Sequence, residues 1–210
     1  MYKTVILIMC TALQGMAQIK LPNGDFNQFE TVSVNSYSYN LPVGWKEHQK
    51  NEYWRSRGEY GFVSKYGLPD ANEYAVALHR GAMGSHLVEE NATFSSFSVF
   101  ENCENVRLVG RYKFSGSDIE EAIDTLRIVA FSTPQQLQNL PDQFPQNATY
   151  LNIVAPTSQF EWFQLDLNAI ETGIYLTLVF QLKSGSDDNY YWGYANAVID
   201  DLELIIKDNL

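Results

Sequence analysis

Between Ile174 and Lys183 the chain alternates with a period of two, and this constrains its fold more than any other feature. Ile174, Leu176, Leu178, Phe180 and Leu182 fall on one face; Tyr175, Thr177, Val179, Gln181 and Lys183 fall on the other. That is the pattern of a β strand with one face turned to a core. Gly173 precedes the run, and Ser184-Gly185-Ser186 with Asp187 and Asp188 supplies turn chemistry after it.

The same reading extends along the chain. Val106, Leu108, Gly110, Tyr112 and Phe114 alternate with Arg107, Val109, Arg111 and Lys113, an apolar side against a largely basic one. Thr125 to Phe131 reads as a strand apolar on both faces apart from Arg127. Further strands are expected at Tyr74 to His79, Phe94 to Phe100, Glu161 to Leu167 and Val198 to Ile206. Pro134 to Leu140 is the one expected helix, a short one that Pro would open at its first turn. Seven or more strands separated by Gly, Pro, Asn and Ser turns imply an all-β fold, a two-sheet antiparallel β-sandwich. The apolar faces of the two sheets pack against each other.

The N-terminus has the three parts of a secretory signal: Lys3, an apolar run from Val5 to Leu13, and small residues at Gly15 and Ala17. Cleavage is expected after Ala17, leaving residues 18–210 as one domain. The apolar run falls short of the roughly 20 residues that span a bilayer, and no later segment is apolar enough for a transmembrane span. The chain is therefore expected to be exported, to the periplasm, the cell surface or the extracellular space. It carries 14 Lys and Arg against 25 Asp and Glu, for a formal charge of −11. Without a basic block, such a chain is not expected to bind nucleic acid or anionic membranes. Once Cys10 leaves with the signal, Cys103 stands alone and no intramolecular disulfide can form. It is expected as a small buried hydrophobe.

Three segments carry a resemblance. Near the mature N-terminus stands Leu21-Pro22-Asn23-Gly24-Asp25-Phe26-Asn27, followed by Leu41-Pro42-Val43-Gly44-Trp45. Near the C-terminus stands Ala197-Val198-Ile199-Asp200-Asp201-Leu202-Glu203-Leu204. An opening N-G-x-F-E, a later P-x-G-W and a closing I-D-D-x-x-L resemble the galactose-binding-like jelly rolls, a group that includes many carbohydrate-binding modules. The middle of the chain, around Val106 to Phe114 and Leu126 to Ala130, is similar to the putative carbohydrate metabolism domain of exported bacterial proteins. The resemblance implies a jelly roll that binds a glycan or polysaccharide, with Trp45 as a structural plug. It also implies one structural calcium ion held between the first and last strands by Asp25, Asn27 and Asp200. Asn27 stands where the family has a glutamate, so it offers an amide oxygen but no charge. Asp200 shares parity with Val198, Leu202, Leu204 and Ile206, which places its carboxylate on the core side. There it needs a cation, an Arg or several hydrogen-bond donors.

A sugar-binding sandwich needs an exposed aromatic face for the C–H side of a pyranose, with polar neighbours to orient it. Tyr53-Trp54, beside Arg55 and Arg57, and Tyr190-Tyr191-Trp192 are the candidates, with Tyr53, Trp54, Tyr190 and Trp192 as the carbohydrate-binding residues. Aromatics also fill β cores, so each cluster has a packing explanation as well. His79 and His86 match no common zinc spacing, and His48, among Glu47, Gln49 and Lys50, reads as solvated. No phosphate loop or G-x-S-x-G motif is present. No catalytic residue is singled out. The alternatives to a non-catalytic glycan-binding domain are a structural or adhesive surface domain, and a sandwich-fold glycosidase or lyase. The last would require two carboxylates roughly 5 to 9.5 Å apart.

Overall fold

The alternating segments all become strands. A computed structural model describes residues 18–19, 21–34, 37–49, 63–69, 73–81, 90–98, 106–115, 125–167, 174–183 and 194–206. The strands are β1 (Gln18–Ile19), β2 (Phe29–Val34), β3 (Tyr37–Pro42), β4 (Lys46–Gln49), β5 (Val63–Gly67), β6 (Tyr74–Gly81) and β7 (Glu90–Ser98). They continue as β8 (Val106–Ser115), β9 (Thr125–Thr133), β10 (Thr149–Ile153), β11 (Glu161–Asp166), β12 (Tyr175–Lys183) and β13 (Tyr194–Ile206). Among the described residues no helix is long and apolar enough to cross a membrane. The expected helix at Pro134 to Leu140 is instead irregular chain. Its apolar residues are used as a cover for a sheet, and a regular helix is not needed to present them.

Two sheets make the sandwich. The first has the order β11-β8-β13-β6-β5 with β1 added along β13, the second the order β10-β9-β12-β7-β4, and β2 with β3 forms a separate hairpin. All pairings are antiparallel. Among the described strands after β4, β5–β6 and β9–β10 pair as consecutive neighbours in one sheet and the other successive strands alternate between the sheets, which is a jelly-roll winding. Leu176, Leu178, Phe180 and Leu182 of β12 enter one core with Leu108 and Phe114 of β8 and Phe163 of β11, as their parity requires.

The last strand departs from simple alternation. Opposite β8, Asp200 pairs with Arg111 and Glu203 with Val109, so β13 holds one residue more than its partner. That is a β-bulge, and Asp201 within it takes φ +50°. Before the bulge Ala197 and Ile199 face the core, and after it Leu202 and Leu204 do. Asp200 consequently lies on the outer side with Val198, not on the core side with Leu202. The sequence parity was carried through a residue where the chain resets it. Asp200 is nonetheless buried, at 1% exposure.

The N-terminal turn docks on this bulge. Gly24 accepts a hydrogen bond from the Leu202 N–H at 2.9 Å. A Cβ on Gly24 would lie 2.4 Å from the Leu202 carbonyl oxygen, so only glycine allows this approach. Asn23 and Phe26 both take φ +47° in the same turn. For Phe26 that conformation costs on the order of 1–2 kcal/mol. It is held by a fully buried ring, 5.1 Å from the ring of Trp45. Trp45 in turn lies 5.6 Å from Phe180 and donates its indole N–H to the Pro22 carbonyl at 3.1 Å. Pro42 to Trp45 closes as a turn with Gly44 at φ +81°. Trp45 is thus the plug that its motif implied.

Gly24→Ala is expected to lower the unfolding free energy by about 2 kcal/mol or more, since backbone must move to admit the methyl group. Urea denaturation measures it, and an unchanged midpoint would show that the turn docks elsewhere.

Candidate functional site

The second face of β12 was the polar one in the sequence, yet Thr177, Val179 and Gln181 are buried there. Residues 134–148, between β9 and β10, lie across part of that outer face. Leu137, Leu140, Phe144 and Ala148 pack on Phe94, Val129, Phe131 and Val179. Polar straps hold the segment down. Ser96 accepts from the Leu137 N–H at 3.1 Å, and its carbonyl accepts from the Gln136 amide at 2.8 Å. Lys46 donates to the Leu137 carbonyl and to the Gln138 side chain.

Beyond this cover the outer face carries a line of polar side chains. Strand register places Asn152 of β10 beside Arg127 of β9, Arg127 beside Gln181 of β12, Gln181 beside Ala92 of β7, and Ala92 beside His48 of β4. One rung of the sheet, roughly 19 Å across five strands, therefore holds Asn152, Arg127, Gln181 and His48. Arg127 Nε donates to the Asn152 side-chain oxygen at 3.1 Å, which fixes the plane of the guanidinium. Gln181 forms the floor, at 3% exposure, and His48 is half-buried. His48 is therefore a member of a built surface rather than a freely solvated side chain.

Tyr150 stands one rung along, toward the covering segment, and is 44% exposed. Its ring lies 6.1 Å from that of Phe144, and the Arg127 guanidinium is 6.0 Å from its centre. The result is an aromatic face at the edge of a polar row, walled on one side by the 134–148 segment. The row could accept and donate several hydrogen bonds while a flat apolar ligand face rests on Tyr150. No sequence motif marks it, because its members come from strands far apart in the chain. The one local signal is Arg127, the single charge in an otherwise apolar strand.

The sequence-derived aromatic candidates Tyr53, Trp54, Tyr190 and Trp192 lie outside the described residues, as do Cys103 and His86. Among the described residues the most exposed large hydrophobic is Trp162, at 69%, on the outer side of β11. It faces Arg111 across the strand pair. That guanidinium is engaged by Asp200 and Asp201 and lies 4.9 Å from the Phe160 ring, so Trp162 has a poorer set of polar neighbours than Tyr150.

The expected calcium residues are placed as follows. Asp25 accepts from the Asn27 backbone and side-chain amides, while the Asn27 oxygen accepts from the Tyr74 N–H at 3.1 Å. One oxygen of Asp200 accepts from Arg111 Nη2 at 2.6 Å and Nε at 3.1 Å. Its other oxygen, Oδ1, is buried without a well-formed hydrogen bond. Among the described residues no three His, Cys, Asp or Glu side chains form a metal-binding group. Burial pushes the Asp200 carboxyl above the usual carboxylate range, against the opposing pull of the Arg111 guanidinium.

No protein-family model and no curated protein matches the chain. Among solved structures it is similar to a carbohydrate-binding module of family 61 in complex with β-1,4-galactotriose. The identity is 11% over 79% of this chain and 90% of that chain, with a TM-score of 0.45. It is similar to the cleaved adhesin domain of Lys-gingipain from Porphyromonas gingivalis, at 12% identity over 89% and 96%, TM-score 0.45. A family 22 xylan-binding domain from Paenibacillus barcinonensis matches at 8% identity over 80% and 94%, TM-score 0.44.

Arg111→Met is expected to cost about 2 kcal/mol at pH 7. This is below the 3–5 kcal/mol of a fully buried pair because the Arg111 side chain is 28% exposed. The raised Asp200 pKa sets the sign with pH. The contribution of Asp200 is fully present below its unfolded value near 4 and is lost as pH rises through the folded one. Removing Arg111 raises that folded value further, so the deficit should be largest at pH 7 and shrink toward pH 4. Denaturation at both pH values checks this; a deficit independent of pH would contradict it.

Proposed function

We propose that the chain is an exported, non-catalytic glycan-binding domain whose binding surface is the Asn152–Arg127–Gln181–His48 row with Tyr150 at its edge. The observation that carries this reading is the row itself. Four hydrogen-bonding side chains are aligned across five strands, and an exposed aromatic ring stands beside them. A pyranose presents an equatorial rim of hydroxyls and an apolar C–H face, and these two surfaces match the two parts of the site. The strand pairing of β10, β9, β12, β7 and β4 already holds the groups in one row, so little ordering is left to the moment of binding. Export is part of the proposal. It is supported by the signal-like sequence of residues 1–17.

A structural Ca²⁺ is a subordinate part. Asp200 Oδ1 offers a buried oxygen without a good donor, and Asp25 would add a second carboxylate. Asn27 would have to share its oxygen with the Tyr74 N–H. A bound ion would tie the N-terminal turn to β13 by charge as well as by the Gly24–Leu202 hydrogen bond.

Affinity electrophoresis against plant, host and microbial polysaccharides tests the binding role. At least one polysaccharide should retard the chain, and Tyr150→Ala should weaken that retardation by about tenfold or more. No retardation by any polysaccharide, or an unaffected variant, would overturn the reading. For calcium, the melting temperature should rise with added Ca²⁺ and fall with EDTA. An unchanged value would mean that Arg111 alone neutralises Asp200.

A further inference from the structure

The charges on the binding face are distributed unlike those of the whole chain. The protein carries 25 Asp and Glu against 14 Lys and Arg. On the outer face of the second sheet the balance reverses: Lys46, His48, Arg127 and Lys183 stand there with the phenols Tyr150 and Tyr175, and the one carboxylate that strand register places among them is Glu90, opposite Lys183. Lys46 spends its charge on the covering segment, through the Leu137 carbonyl and the Gln138 side chain. Arg127 is different. Its Nε is held by the neutral Asn152 oxygen, and among the described residues no carboxylate pairs with it. The other two Arg of the first sheet's outer face have acids: Arg107 has Asp166, and Arg111 has Asp200 and Asp201. The covering segment contributes one acid, Asp142, which is exposed.

On the reading that this row binds a glycan, we infer that the glycan is acidic, with an anionic group on the pyranose that meets the Arg127 guanidinium. An arginine with its plane fixed by a neutral partner keeps its remaining N–H donors for a ligand. A guanidinium presents paired donors that match the two oxygens of a carboxylate or sulfate. Tyr150 lies beside it for the sugar ring, and the exposed Asn152 flanks it for hydroxyls. A neutral glycan would leave the Arg127 charge partly desolvated without compensation, which selects against it. An acidic glycan would be repelled by the chain's overall charge at a distance and attracted only at this face, so the preference is local and short-ranged.

The test uses the full mature chain and four probes: polygalacturonate, its fully methyl-esterified form, a sulfated galactan and a neutral galactan. Polygalacturonate should bind about tenfold or more tightly than its methyl ester. Binding should weaken between roughly 50 and 500 mM NaCl. Arg127→Gln should reduce the acid-over-neutral preference to near unity, while Tyr150→Ala should weaken acidic and neutral probes together. An unchanged melting temperature in Arg127→Gln would show that the variant folds. A preference for the sulfated galactan over polygalacturonate would support the inference and identify the anion as sulfate. Equal binding of acidic and neutral probes would overturn the acidic preference and leave the glycan reading standing. No binding of any of the four, together with none across the wider polysaccharide panel, would overturn both.

Discussion

The bulge at Asp201 is the constraint on which the rest of this sandwich depends. β13 runs through the middle of the first sheet, between β8 and β6, and must fill the core along its whole length. The extra residue lets Ile199 and Leu202 both point inward while Asp200 turns outward to Arg111. It also turns the Leu202 N–H toward Gly24, which gives the N-terminal turn its seat. Phe26, Trp45 and Phe180 then pack as a chain of tilted rings from that turn into the core. Gly110 completes the fit, since a Cβ there would lie 2.6 Å from the Leu202 side chain and 2.8 Å from Phe163. One inserted residue thus sets how the N-terminal turn and β13 pack together.

The Asp200–Arg111 pair belongs to the same device. A bulge on a central strand exposes backbone and turns side chains out of register. Here the displaced carboxylate is covered by a guanidinium that also reaches Asp201. Burial works against the charge and the guanidinium works for it. The arrangement is thus a locally strained join held by its surroundings. The strain lies far from the second sheet's outer face, where the regular register of β10, β9, β12, β7 and β4 aligns the polar row. Irregularity seats the N-terminal turn on β13, and regularity aligns the polar row.

How much of this could be read from the chain depended on how local each cause is. The alternation of β8 and β12 comes from adjacent residues, so their strands and their core faces were legible from Val106 and Ile174 onward. The parity of Asp200 was not, because the extra residue shows only in the pairing of β13 with β8, whose residues are remote in sequence. The Pro134–Leu140 segment looked helical because Gln and Leu tolerate a helix and Pro suits its first turn; in the fold Leu137 and Leu140 instead cover Phe94, Phe131 and Val179. His48, Arg127, Asn152 and Gln181 share no motif, and only strand order brings them into one line. Arg127 alone stood out beforehand, as the charge that interrupts an apolar strand.

The most direct test of the central claim is an NMR titration of the isotopically labelled mature chain with an oligogalacturonide. The account predicts that the Arg127 Nε–H and the side-chain amides of Asn152 and Gln181 shift together and saturably, while the Trp162 indole on the other sheet stays still. Saturable shifts centred on Trp162, with Arg127, Asn152 and Gln181 unmoved, would contradict it.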